Sequence, residues 1–253
     1  MPVLPPRQPP SRLARFAWRR APPAASIAVM SDPDAFSPPG PGLAAAPGGG
    51  SGPDWDARYL KAEGGLFGET PNLWLRMALA RPSPVSAPAS ALLIADGDGR
   101  NSAWLARQGP VVTAFDLAPE AVRRAEARDR AAGVEAERFA ADLTAWSPGA
   151  RRWDLVALIH LQGPETLRRA AFAASAAALA PGGRLVLEGF GGEGGGPGPE
   201  RSAQRWQDVE VEAWTAAEGL VAEELLEGLV TLDEGPRHQG PARMLRLIAR
   251  RPA

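Results

Sequence analysis

From Leu92 onward, short unbroken apolar runs alternate with longer stretches in which apolar residues recur at helical spacing. The runs Leu92–Ala95, Val111–Phe115, Glu137–Ala141, Asp154–His160 and Arg184–Glu188 predict five strands. Asn101–Arg107, Pro119–Ala132 and Glu165–Leu179 predict helices between them, the last ended by Pro181-Gly182-Gly183. Strands that are apolar throughout are buried on both faces, as in a parallel sheet covered by helices on each side. A glycine-rich loop at Gly189–Gly198, a helix-like stretch at Trp206–Ala217, and two strands near Val221–Leu232 and Arg243–Ala249 complete the pattern. The link between those two strands, Asp233–Gly240, is too short for a crossover helix, so the last strand must pair antiparallel. Upstream, Pro71 opens a helix with Leu73, Trp74, Met77 and Leu79 as its apolar stripe, and Pro82–Pro88 breaks the chain before the first strand.

Residues 1–53 show neither period. They are rich in Pro, Ala and Gly and predict a disordered N-terminal extension, leaving 54–253 as the folded domain. Five arginines, Arg7, Arg12, Arg15, Arg19 and Arg20, precede the first acid, Asp32, as in a transit peptide. Met30 offers a shorter start that would make the preceding residues an over-extended reading frame, which is the simpler account.

Composition narrows the chemistry. The 253 residues carry 28 basic and 29 acidic side chains, a net charge of −1, so neither a nucleic-acid nor a membrane partner is expected. There is no cysteine and there are two histidines, His160 and His238, which argues against disulfides, thiolate catalysis and a histidine-rich metal site; none is assigned. A small-molecule substrate and a cytoplasmic setting are the expectation. Nothing in the sequence speaks to oligomeric state.

The candidate chemistry lies at the strand ends. Ala95-Asp96-Gly97-Asp98-Gly99-Arg100-Asn101 joins the first strand to the first helix, a glycine turn of the kind that lets a ligand approach the backbone and the helix N-terminus. Asp116 follows Gly97 by 19 residues, the spacing at which a carboxylate meets a ribose diol. Asp142 ends the third strand. One such acid could be a cap or turn former, but acids after three successive strands line one ligand edge.

These residues, with Trp55-Asp56-Ala57-Arg58-Tyr59, Leu66-Phe67-Gly68, Phe115-Asp116-Leu117-Ala118-Pro119, Ala141-Asp142-Leu143, Leu179-Ala180-Pro181-Gly182-Gly183 and the hairpin from Glu234 to Gly240, resemble class I S-adenosylmethionine-dependent methyltransferases. Among these the chain resembles the bacterial tellurite-resistance and thiopurine-methyltransferase group. The resemblance implies a Rossmann-like α/β three-layer sandwich, its seven-stranded, mostly parallel sheet ending in an antiparallel strand, and S-adenosyl-L-methionine as cofactor. The turn Ala95, Asp96, Gly97, Gly99 and Asn101 would meet the methionine part. Asp116 would take the ribose, Leu117 and Asp142 with Leu143 the adenine, and Tyr59 and Phe67 would close over the cofactor. His160 would lie beside it. The group usually has an acid and a glycine where this chain has Leu93 and Ala95, so Asp96 could hold the cofactor ammonium instead. A NAD-type Rossmann enzyme uses the same elements but lacks the antiparallel ending and the Pro-Gly-Gly turn.

In-line methyl transfer asks chiefly for alignment and exclusion of water. Topology puts His160, His238 and the Gly189–Gly198 loop on one edge, with the loop as a candidate lid. His238 is either the pocket's base or orienter or an exposed histidine at a hairpin tip. The expected activity is methylation of a thiol, chalcogen oxyanion or similar nucleophile; the competing reading is a non-catalytic cofactor-binding or scaffold protein on the same fold.

Overall fold

A computed structural model describes residues 54–81, 87–193 and 196–253. The extension over 1–53 and most of the Pro82–Pro88 break lie outside the described residues. Seven strands form one sheet: β1 (Ser90–Ile94), β2 (Val111–Asp116), β3 (Glu137–Ala140), β4 (Trp153–Ile159), β5 (Leu179–Phe190), β6 (Val221–Gly235) and β7 (His238–Arg250), in the order β3-β2-β1-β4-β5-β7-β6. The first five are parallel, and β7 pairs antiparallel with both β5 and β6.

The helices are α1 (Trp55–Lys61), α2 (Leu73–Ala80), α3 (Arg100–Ala106), α4 (Pro119–Ala132), α5 (Glu165–Ala178) and α6 (Asp208–Ala217). Alternate residues of β1 feed opposite cores. Leu92 and Ile94 pack with Phe172, Ala176 and Trp214 of α5 and α6, whereas Ala91 and Leu93 pack with Trp74, Leu75 and Leu105 of α2 and α3. Each fully buried large side chain contributes roughly 1.5–3 kcal/mol to this sandwich. The three-layer α/β architecture is the one expected. Among the described residues, no helix is long and apolar enough to cross a membrane.

Four local expectations are corrected. Helix α2 begins at Leu73 because the Asn72 side chain caps it, accepting from Leu75 N–H at 2.9 Å. Its buried face is Trp74, Leu75 and Ala78, while Leu73 and Met77 are exposed. Strand β5 starts at Leu179, with Pro181-Gly182-Gly183 carried as an irregularity against β4 between Trp153 and Leu155. Trp206 precedes α6: its backbone bridges Gly191 and its indole N–H donates to Leu161 O at 2.8 Å.

The fourth concerns the final hairpin. Strands β6 and β7 run through the polar segment, pairing Asp233 with Gln239 and Gly235 with His238, so only Pro236 and Arg237 form the turn. Polar residues carry no apolar period there, and the strands continue because backbone pairing and the buried side chains of Glu234 and His238 hold them.

Candidate active site

The carboxyl ends of β1 and β4 lie side by side, Ile94 next to Leu158, at the point where the strand order reverses direction. The residue after each strand leaves the ordinary backbone range. Ala95 has φ +55° and His160 has φ +58°, and among the described residues they are the only non-glycines with positive φ. Such a backbone costs about 1–2 kcal/mol for a residue with a Cβ, and strain of this kind collects where the chain must aim a functional group.

Beyond Ala95 the turn is stitched to β2. Asp96 N–H donates to Phe115 O at 3.0 Å, and Gly97 N–H to Asp116 Oδ2 at 2.8 Å. The second Asp116 oxygen accepts from Ala118 N–H at 3.0 Å. Leu117 N–H adds to these, and a carboxylate with about four acceptor positions keeps capacity beyond them. Burial pushes the Asp116 carboxyl up, against the pull of these N–H groups. Gly97 (φ +63°) has no room for a side chain: a Cβ would stand 2.5 Å from the Tyr59 hydroxyl, which caps the turn. Burial, with the nearby charges of Asp116, Asp98 and Asp96, holds that phenol firmly protonated. Gly99 starts α3 and packs against α4, where a Cβ would come within 2.7 Å of the Ala125 methyl.

Asp96 is built into a buried network. Its Oδ2 accepts from Arg138 at 2.9 Å and from Ser102 Oγ, and Arg138 is gripped from the other side by Asp129. Burial pushes Asp96 up to about 6 despite Arg138 and Ser102. Its other oxygen is buried and has no partner among the described residues. The remaining expected residues divide. Leu143 is buried, Leu117 is half exposed, and Asp142 is exposed and closes a turn by accepting from Thr144 N–H and Oγ1. Asn101 is a strut: its Oδ1 accepts from Asn72 N–H at 2.9 Å.

A second cluster lies beside the first. Asn72 Nδ2 donates to Glu188 Oε1 at 2.6 Å and to Glu234 Oε1 at 2.8 Å. Arg246 donates to Glu188 Oε2 at 2.5 Å. Arg100, from the first turn of α3, donates to Glu234 Oε2 at 2.8 Å and to the carbonyls of Phe67, Thr70 and Glu234. One buried guanidinium therefore clasps the glycine turn, the N-terminal segment and the last hairpin together. Gly68 and Gly235 let that segment lie on the hairpin, since a Cβ on Gly235 would stand 2.5 Å from the Phe67 carbonyl oxygen.

Both histidines enter this cluster. His160 Nε2 lies 3.3 Å from Glu234 Oε2, and the two imidazole centroids are 4.0 Å apart. Phe67 stacks on His238 at 4.9 Å, and Phe190 meets its edge at 5.6 Å. His238 is 4% exposed, which removes the exposed-tip reading. Burial, with the charges of His160 and Arg100, pushes it down to about 2, so its ring is neutral. Burial alone would raise the Glu234 carboxyl, but His160 and Arg100 outweigh it and hold it below the usual carboxylate range.

Sequence reasoning did not assign Asn72, Arg100, Glu188, Glu234 or Arg246 to a site. The available signal was a charge in an apolar strand: Glu188 follows Leu185-Val186-Leu187, and Arg246 sits between Leu245 and Leu247.

Residues 91–183 match the sequence model of a family described as a methyltransferase domain. No curated protein matches the chain by sequence. Among solved structures, a SAM-dependent methyltransferase from Methanosarcina mazei is 18% identical with a TM-score of 0.56, over 72% of this chain and 99% of that one. The N-methyltransferase NodS from Bradyrhizobium japonicum WM9 is 22% identical with a TM-score of 0.52, over 71% and 93%. Magnesium protoporphyrin IX methyltransferase from Synechocystis PCC 6803 with bound SAH is 18% identical with a TM-score of 0.52, over 70% and 78%. The fold is that of the S-adenosylmethionine-dependent methyltransferases. Residues 91–183 are thus similar in sequence to a methyltransferase domain, and one of the solved structures that share the fold carries bound SAH.

Proposed function

We propose that the protein transfers the methyl group of S-adenosylmethionine to a small-molecule nucleophile, a thiol, chalcogen oxyanion or similar group, held beside His160 and His238. The observation that carries this reading is the pair of left-handed residues, Ala95 and His160, at the ends of adjacent strands. One leads into the glycine turn over Asp116, the other aims an imidazole at the final hairpin.

The residues suit the cofactor. Asp116 has acceptor capacity left for a ribose hydroxyl, Gly97 lets the Tyr59 hydroxyl close directly over the turn, and the unpartnered Asp96 oxygen is an acceptor for the ammonium. Leu117, Asp142 and Leu143 take the adenine side, with Tyr59 and Phe67 as the cover. When bound, the cofactor supplies an electrophilic methyl on a sulfonium. The chain's own contribution is to exclude water with the N-terminal segment and to orient the acceptor against His160, His238 and the buried Gln162 amide, which has no partner among the described residues. His238 is the residue assigned to the acceptor, as an orienting wall group in its neutral form.

The glycine-poor start of the turn, Leu93 and Ala95, keeps the scaffold as the competing reading, while the Gly97 N–H bond to Asp116 supports the cofactor reading. A screen with methyl-labelled cofactor over thiols, selenite and tellurite tests the proposal. Label should move to at least one of them. Cofactor binding without transfer to any would favour the scaffold.

A further inference from the structure

The chain has two histidines and no cysteine, and the fold brings both histidines to one place with the Glu234 carboxylate beside them. We propose that His160, His238 and Glu234 form a binding site for one zinc ion, with a fourth position open to an exogenous ligand. One donor atom from each of the three lies within 4.8 Å of the other two. Two nitrogens and a carboxylate are a donor set that zinc takes in sites with an open position. One pair already has the spacing of zinc ligands: donors each about 2.0–2.1 Å from one ion at the tetrahedral angle stand roughly 3.3–3.4 Å apart, and His160 Nε2 is 3.3 Å from Glu234 Oε2.

Independent support comes from unmet hydrogen bonding. The His160 and His238 side chains are 8% and 4% exposed, and the Nδ1 of each is buried with no partner among the described residues. A buried imidazole nitrogen without a partner is costly and uncommon, and a metal on His238 Nδ1 would satisfy that ring, whereas His160 would meet the metal through Nε2, which faces Glu234. The supports that would orient the ligands are already in place. Glu234 is held by Asn72, Leu73 N–H and Arg100, and the His160 backbone N–H donates to Glu188 O at 2.7 Å. Phe67 and Phe190 pack against the rings and wall the site with apolar surface.

Charge then selects the fourth ligand. Glu188 and Glu234 are matched by Arg246 and Arg100, so the surroundings bring no surplus negative charge to a divalent ion. A neutral fourth ligand would leave that charge buried, whereas an anionic one offsets it. The site therefore prefers a soft anion, a thiolate or its selenium counterpart, over a neutral amine or alcohol. This last step rests on the methyltransferase reading for its functional meaning; zinc binding itself does not.

The test uses the full chain without a histidine tag, stripped with chelator and dialysed against zinc, with bound metal measured by emission spectroscopy. One zinc per chain is expected. His160→Gln and His238→Gln should each weaken zinc by more than the roughly 10–100-fold that loss of an outer-shell partner costs, while Asp116→Ala should bind zinc as wild type does. Zinc absent from wild type, or retained unchanged in His238→Gln, overturns the site. Wild type that binds cofactor but no zinc leaves the methyltransferase reading standing; zinc without cofactor binding does the reverse. Cobalt substitution of wild type gives a readout that needs no variant: the strong visible bands of a four-coordinate site are expected, and the faint bands of aqueous cobalt would overturn the assignment.

Discussion

The imidazole of His160 lies 4.0 Å, centroid to centroid, from that of His238, although one follows β4 and the other opens β7. Two features make this meeting possible: the positive φ of His160 and a hairpin whose turn is only Pro236 and Arg237. His238→Ala removes the group between Phe67 and His160 without touching the glycine cradle. At saturating cofactor, methyl transfer should fall by about 10²-fold, the loss that misplacing a reactant by about 1 Å brings, with cofactor affinity unchanged. Unaltered turnover would remove His238 from the acceptor site.

Ala95 occupies a conformation that glycine adopts freely. Relief of about 1–2 kcal/mol of strain is partly offset by the greater freedom of glycine in the unfolded chain, about 0.4–1 kcal/mol. Ala95→Gly should therefore stabilise the protein by about 0.5–1 kcal/mol, and Ala95→Val should destabilise it. Urea unfolding midpoints at constant slope measure both.

Burial raises the Asp96 carboxyl from 3.8 to about 6 in the folded protein. Between these values the native state holds a proton that the unfolded chain releases, so the Asp96 contribution to stability is greatest below about pH 4 and is lost as pH rises through 6. Asp98 and Asp116, raised by burial too, act in the same sense, while Glu69 and Glu137, held down by Arg128 and Arg151, act in the opposite one. The difference between wild type and Asp96→Asn isolates the effect. The variant should gain on wild type by about 2–3 kcal/mol between pH 4 and 7, since each tenfold change in proton affinity is worth about 1.4 kcal/mol. A constant difference across that range would show that Asp96 stays ionised behind Arg138.

Much of this molecule is legible in the chain because its signals are local. Val111–Phe115 reads as a buried strand from its own residues, and Asp116 finds Gly97 because one β–α–β unit fixes their separation. The antiparallel ending followed from a link too short to cross over. The second cluster was not legible, because nothing local joins Asn72, Glu188 and Glu234; the sheet order β5-β7-β6 and the N-terminal segment bring them together. Counting two histidines says nothing of where they lie, and the fold delivers both to the neighbourhood of one carboxylate, Glu234. Asp96 was legible as a turn acid, but its partner Arg138 comes from β3 and could not be paired from spacing alone.

Titration calorimetry with S-adenosylmethionine tests the central claim most directly. Wild type should bind one cofactor per chain, and Asp116→Asn should lose about 10²-fold or more in affinity, the worth of one or two charge-assisted hydrogen bonds of about 1.5–3 kcal/mol each. No heat of binding to the wild-type protein at millimolar cofactor would contradict it.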